Sequence, residues 1–149
     1  MADTPQSGQL AVRLVTPDRV LLDATADAVE LPSMSGYLEA LYGHAPLLAE
    51  LGAGDVTLHG ASGGENAARS DRYNVSWGFV EVLPDRVTIL ANGAIAPAEI
   101  DTARAQEELN HGHELWNQAG DDPEKYEIAN HVIHEAEAKL ASAGSTGQH

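Results

Sequence analysis

Seven histidines and 23 acidic residues are the side chains of this sequence best suited to moving a proton or holding a metal ion. His44 sits in YGHAPLL, between Gly43 and an Ala-Pro pair, just before apolar residues. Three roles suit it: a proton relay, a turn in which the imidazole satisfies local backbone groups, or a contact with another subunit. A relay needs a donor and acceptor chain that linear order does not supply. Pro46 restrains the backbone before it and Gly43 relaxes the turn, so the imidazole is held at a loop or strand edge. His111 and His113 are two apart on a helical pattern and face different ways, whereas His131 and His134 are three apart and can approach. A zinc cage needs a further ligand in space, and no HExxH spacing exists, so no metal site is expected.

Nucleophilic chemistry finds less support. The absence of cysteine excludes thiolate nucleophiles, disulfides and cysteine-containing zinc sites. Ser76, in VSWGF, precedes a bulky Trp instead of lying in a GxSxG elbow. The glycine-rich GASGGENAARSD at 60–71 lacks the Lys-Ser/Thr end of a phosphate loop and reads as a hairpin tip. With so many carboxylates, acid-base spacings arise by chance; a carboxylate-dependent hydrolase stays open as an alternative without a named pair.

The elements that must position these residues fall into two kinds. The chain has 149 residues, 43% of them apolar, with a single Phe, which predicts a core of Val, Leu, Ile and Ala. Its formal charge of -15 repels phosphate backbones and anionic lipids, so no direct nucleic-acid or membrane binding is expected. No run approaches the length of a membrane span, and MADTPQSG does not resemble an export segment. An acidic face could instead meet a basic protein, leaving a free acidic binding module as a second alternative. High environmental salt is a third account of the charge.

From Leu10 to Ala96 short pieces alternate on a two-residue period: QLAVRLV, RVLLDATADAVEL, GYLEAL, DVTLHG, RYNVSWGFVEVL and RVTILA. Val12 and Leu14 share a side, Phe79 alternates with Val80, and Val87, Ile89 and Ala91 alternate with Thr88 and Leu90. TPDR at 16–19 and LPDR at 83–86 place Pro and Asp where turns need them. The segment therefore reads as an all-β sandwich or flattened barrel of antiparallel strands. After Pro97 the period becomes helical: Ala98, Ala105, Leu109, Gly112 and Trp116 mark one stripe, and Ala129, Ile133, Ala136 and Leu140 another. Gly120 ends the first helix and Asp122-Pro123 starts the second, giving an antiparallel α-helical hairpin. The predicted organisation is a flexible 1–9, a sandwich at 10–96, a hairpin at 97–142 and a frayed tail at 143–149.

Three phrases in this order carry a family resemblance. GYLEALYGHAPLLAELGAGDVTL, WGFVEVLPDRVTILANGAI and the IDTARAQEEL helix onset resemble the epsilon subunit of F-type ATP synthase, called delta in mitochondria. The resemblance runs from about Leu10 to Leu140. It implies a sandwich of about ten strands followed by a helix hairpin, acting without catalysis in the central stalk of the motor. The implied partners are the gamma subunit and the c ring, with the catalytic head reachable by extended helices. The implied location is peripheral, on the cytoplasmic face of a bacterial plasma membrane, with the thylakoid as the other possibility.

By position, the resemblance selects Ser35, Gly36, Tyr37, Tyr42, Gly43 and His44 to face the c ring. It selects Trp77, Gly78, Phe79 and Glu81 for the gamma face or the scaffold behind it. Glu39 and Trp77 stand where the family commonly has Gly, and Tyr42 where it commonly has Pro. No cofactor is required. In some relatives the hairpin binds ATP through an I/L-D-x-x-R onset and later arginines; Ile100, Asp101 and Arg104 match the onset, but NHGHEL supplies no downstream Arg. Only half of that ATP pattern is present.

Overall fold

The structure, a computed structural model, describes residues 8–61 and 71–146. Most of the expected flexible N-terminus, the body of the glycine-rich loop and the last three residues lie outside the described residues. The chain divides into two compact units between Ile95 and Ala96.

The first unit holds seven strands: β1 (Leu10–Val15), β2 (Val20–Ala26), β3 (Ala28–Ser33), β4 (Gly36–Leu41), β5 (Leu47–His59), β6 (Arg72–Leu83) and β7 (Arg86–Ile95). They form one mixed sheet in the order β2-β1-β7-β6-β5-β3-β4. The two Pro-Asp turns sit where expected. Thr16 N–H donates to the Arg19 carbonyl at 2.9 Å, and Leu83 pairs with Arg86 across Pro84-Asp85. Two readings need correction. The segment RVLLDATADAVEL is two strands, broken at Asp27, that lie far apart in the sheet. The pairing of β1 with β7 is parallel, because no hairpin links these distant strands to fix their direction.

A single sheet becomes a sandwich by folding over on itself. In β6, Tyr73 and Val75 are buried before the middle of the strand, but Val80 and Val82 after it. In β5 the set changes from Leu51 to Val56 and Leu58, again switching between odd and even positions. A strand keeps one parity per face, so each change marks a crossing from one layer to the other. Both crossings fall at the same rung: Leu51 pairs with Gly78 and Ala53 with Ser76, leaving Gly52 opposite Trp77. Trp77 has φ 58 and Gly78 φ 125, a left-handed pair that turns the strand. β7 also crosses, pairing through Ala91 on one side and Gly93 on the other. The resemblance implies about ten strands; the described residues form seven, three of them long enough to enter both layers.

The first layer, from β1, β2 and one half of each long strand, points Leu10, Val12, Leu14, Val80, Val87 and Ile89 inward, all with no exposed surface. The second, from β3, β4 and the other halves, answers with Val29, Leu31, Ala40 and Val56, equally shielded. Burying each Leu, Ile or Val side chain stabilises the fold by about 1.5–3 kcal/mol before the cost of ordering the chain.

The second unit opens with a 3-10 turn at Pro97–Glu99, followed by α1 (Thr102–Asn117) and α2 (Pro123–Thr146). Pro97 therefore starts that turn, and α1 begins at its own cap, Asp101, whose carboxylate accepts the Arg104 N–H at 3.1 Å. Asp122 accepts the Glu124 N–H at 3.0 Å at the start of α2, as its sequence predicts. α2 runs to Thr146, past the expected end at 142. The seam is built from Ala105, Gly112, Ala129 and Ala136. Trp116, expected in that seam, is 41% exposed; it stands edge-to-face against Tyr126 at 4.6 Å.

Candidate partner-binding faces

The residues assigned to the c ring do not form one patch. Ser35, Gly36 and Tyr37 occupy one end of β4, and Tyr42, Gly43 and His44 follow its other end. A six-residue strand separates these ends by roughly 17 Å. At the first end Ser33 Oγ donates to the Gly36 carbonyl at 2.6 Å and accepts the Ser35 N–H at 3.2 Å. Gly36 has φ 120, so the tight turn suits glycine. Tyr37 is 60% exposed yet anchored: its ring crosses Gly54, where a Cβ would collide with the hydroxyl. That hydroxyl accepts the Asp55 N–H at 3.0 Å. Met34, equally exposed, completes an apolar tip.

At the second end His44 N–H donates to the Leu41 carbonyl at 3.0 Å, and Gly43 has φ 89. Glycine thus takes the third position of the turn, where a positive φ is required. Tyr42 occupies the position that Pro often holds in such turns, without preventing the turn. Gly43 N–H donates to the Pro84 carbonyl at 2.7 Å, tying this loop to the β6–β7 turn. The half-buried His44 ring lies with Nδ1 2.6 Å from the Ala45 carbonyl oxygen. Donation there leaves Nε2 as an acceptor. The histidine thus has the local backbone role considered for it, and a free ring nitrogen besides.

The gamma-face candidates divide by layer. Trp77 and Gly78 are the crossing itself: a Cβ on Gly78 would strike the Leu90 carbonyl oxygen. Phe79 and Glu81 point outward from the first layer. There the register extends Phe79 into an apolar stripe that the sequence did not reveal. Phe79 pairs with Leu90, Leu90 with Val15, and Val15 with Val20. Leu48, opposite Glu81 on β5, flanks it. Phe79 and Leu90 are each 52% exposed and Leu48 70%. The alternation of Leu90 was legible, but its neighbours depend on a parallel pairing that no local signal predicts.

In the hairpin, Asp101 is the helix cap, and the Arg104 guanidinium reaches Glu108 at 3.4 Å. Lys139 joins the helices, lying 3.6 Å from Glu108 and 3.5 Å from Glu135. The groove beside Arg104 is lined by Glu107, Glu108 and Glu135, a poor lining for a triphosphate. Sequence order also hid a convergence of Glu30, Glu39 and His59 on the second layer, the one cluster of potential metal ligands among the described residues.

Residues 9–97 match the family model described as ATP synthase, Delta/Epsilon chain, beta-sandwich domain. The ATP synthase epsilon chain of Koribacter versatilis is 44% identical over 109 residues, covering 72% of this chain and 68% of that one. That of Gloeothece citriformis is 36% identical over 137 residues, covering 91% and 95%. A chain in the cryo-EM structure of the Euglena gracilis mitochondrial ATP synthase shares the fold, with a TM-score of 0.72 at 19% identity over 95% of this chain and 85% of that one. Two layers folded from one sheet, a capped helix pair and these matches lead to one assignment: the chain belongs to the ATP synthase delta/epsilon chain family.

Proposed function

We propose that the two exposed apolar regions of the sandwich serve different partners. As an epsilon chain, the protein is a non-catalytic central-stalk subunit that couples gamma to the c ring during rotary catalysis. The Met34–Tyr37 tip meets the c ring. The Phe79–Leu90 stripe, with Leu48 and the neighbouring Tyr42–His44 loop, meets gamma. The observation carrying this division is the length of β4 between the two loops. Exposed apolar stripes of this kind mark protein interfaces.

The absence of native cysteine makes the test clean. Tyr37→Cys in the assembled synthase should cross-link to the c ring, and Phe79→Cys to gamma. Exchange of those two products would sink the division. His44→Ala should weaken assembly more than it destabilises the isolated chain; equal losses would reduce His44 to a turn residue.

The helix hairpin makes regulatory contact with the catalytic head. Arg104 and Lys139 are engaged by carboxylates, leaving Lys125 to assist docking on an acidic surface, so any inhibition works by steric blocking. Removing residues after Pro97 should raise ATP hydrolysis by the reconstituted enzyme; no change would end that reading. Ile100, Asp101 and Arg104 are left without an ATP role, because Glu108 holds the Arg104 guanidinium and carboxylates line the groove beside it. No described helix is long and apolar enough to cross a membrane. The chain sits peripherally, as part of the stalk, at the cytoplasmic face of a bacterial plasma membrane.

A further inference from the structure

Three neighbouring strands bring two carboxylates and an imidazole to one spot on the outward face of the second layer. Glu39 of β4 stands directly opposite Glu30 of β3. His59 of β5 pairs with Ala28, two residues before Glu30 on the same face. Ala28 also points outward, yet it is only 8% exposed; its methyl group forms a floor over which longer neighbours can meet. Ligand atoms from Glu30, Glu39 and His59 all lie within 4.8 Å of one another.

The arrangement is unfavourable as it stands. Opposed like charges in a strand pair repel, and among the described residues no lysine or arginine is paired with either carboxylate. On this face Arg72 of β6, opposite Thr57, is 3.6 Å from Asp55. Both lysines of the chain belong to the hairpin.

We propose that Glu30, Glu39 and His59 bind one divalent transition-metal ion, with zinc the best match. Two carboxylate oxygens and an imidazole nitrogen suit zinc, whereas magnesium and calcium prefer oxygen alone. Water completes the coordination. Donors about 2.0–2.2 Å from zinc sit well inside 4.8 Å of one another, the limit within which these ligand atoms fall. Rotation of the exposed Glu39 and His59 side chains sets the final spacing, while the strands stay fixed. The ion cancels the Glu30–Glu39 repulsion and ties the edge strand β4 to β3 and β5. It stiffens the hairpin that carries Tyr37, and its binding does not depend on which partner that hairpin meets.

The test is zinc titration of the full-length chain after chelator treatment, read by calorimetry and by thermal melting. One equivalent should bind and raise the Tm. Glu39→Gln and His59→Gln should each lose at least tenfold in affinity and most of the Tm rise, while His131→Gln retains both. With chelator present, Glu39→Gln should melt no lower than the wild type, because the repulsion is gone and the side chain is on the surface. That result separates loss of the ion from loss of folding. No binding by the wild type, equal binding by the Glu39 and His59 variants, or a site lost only in His131→Gln would each overturn the proposal.

Discussion

Among the described residues, every one of the largest fully shielded side chains, from Leu10 to Ile89, belongs to the sandwich, whereas the hairpin shields Ala105, Ala119, Ala129, Ala136, Gly112 and Ser142. The sandwich draws its stability from Leu, Ile and Val interlocked across two layers. The hairpin relies on close backbone approach and on the Arg104–Glu108–Lys139–Glu135 charges. Small residues bring the helices together but remove little apolar area from water, at about 25 cal/mol per Å². One chain therefore joins a stiff module to a soft one. A helix pair with so small a core opens at less cost than the sheet does.

The largest expected effect tests the stiff half at its crossing. Gly78→Ala would combine a left-handed φ with a collision against the Leu90 carbonyl, costing about 3 kcal/mol or more. Denaturant unfolding should show the sandwich lost or severely destabilised; a near-neutral result would mean that the two layers do not depend on this turn. Gly112→Ala tests the soft half. Its Cβ would lie 2.7 Å from Ile133 Cγ1 and 3.2 Å from the Ile133 nitrogen. Overpacking of about 1–3 kcal/mol would outweigh the roughly 1 kcal/mol gained in helix propensity. Hydrogen exchange should accelerate in α1 and α2 and stay unchanged in β1 to β7. Acceleration in both units would mean that the sheet and the helix pair do not differ in local stability.

A smaller loss, about 1 kcal/mol, is expected for Asp101→Ala, which removes the α1 cap. Helicity by circular dichroism should fall, with little change in sheet melting. Smallest is Lys139→Met, expected to cost a few tenths of a kcal/mol because ion pairs of this partly exposed kind are worth about 0.2–1 kcal/mol. Its effect should shrink as salt rises. A salt-independent loss would assign the role of Lys139 to packing of its stem.

Particular residues show where sequence reading ended. Val12 and Leu14, or Val87 and Ile89, declared their inward face because period-two burial is local. Pro84-Asp85 and Asp122-Pro123 declared a turn and a helix start through their own backbone chemistry. Trp116 followed the helical period but lies at the end of the hairpin seam, where its ring meets Tyr126 and remains partly exposed. The six residues selected for the c ring were contiguous in motif yet divided in space, since β4 runs between them.

The sequence by itself determined two periodicities, their boundary near Pro97, the turns between adjacent strands and the family to which these features belong. Each of these is written in residues a few positions apart. Only the tertiary structure decided that one sheet folds at Gly52 and Trp77 into two layers, that β1 runs parallel to β7, and that Val20, Leu90 and Phe79 make one stripe while Glu30, Glu39 and His59 converge. Those outcomes depend on the register between strands distant in the chain, and register is settled when buried faces find one another, not by the identity of any single residue.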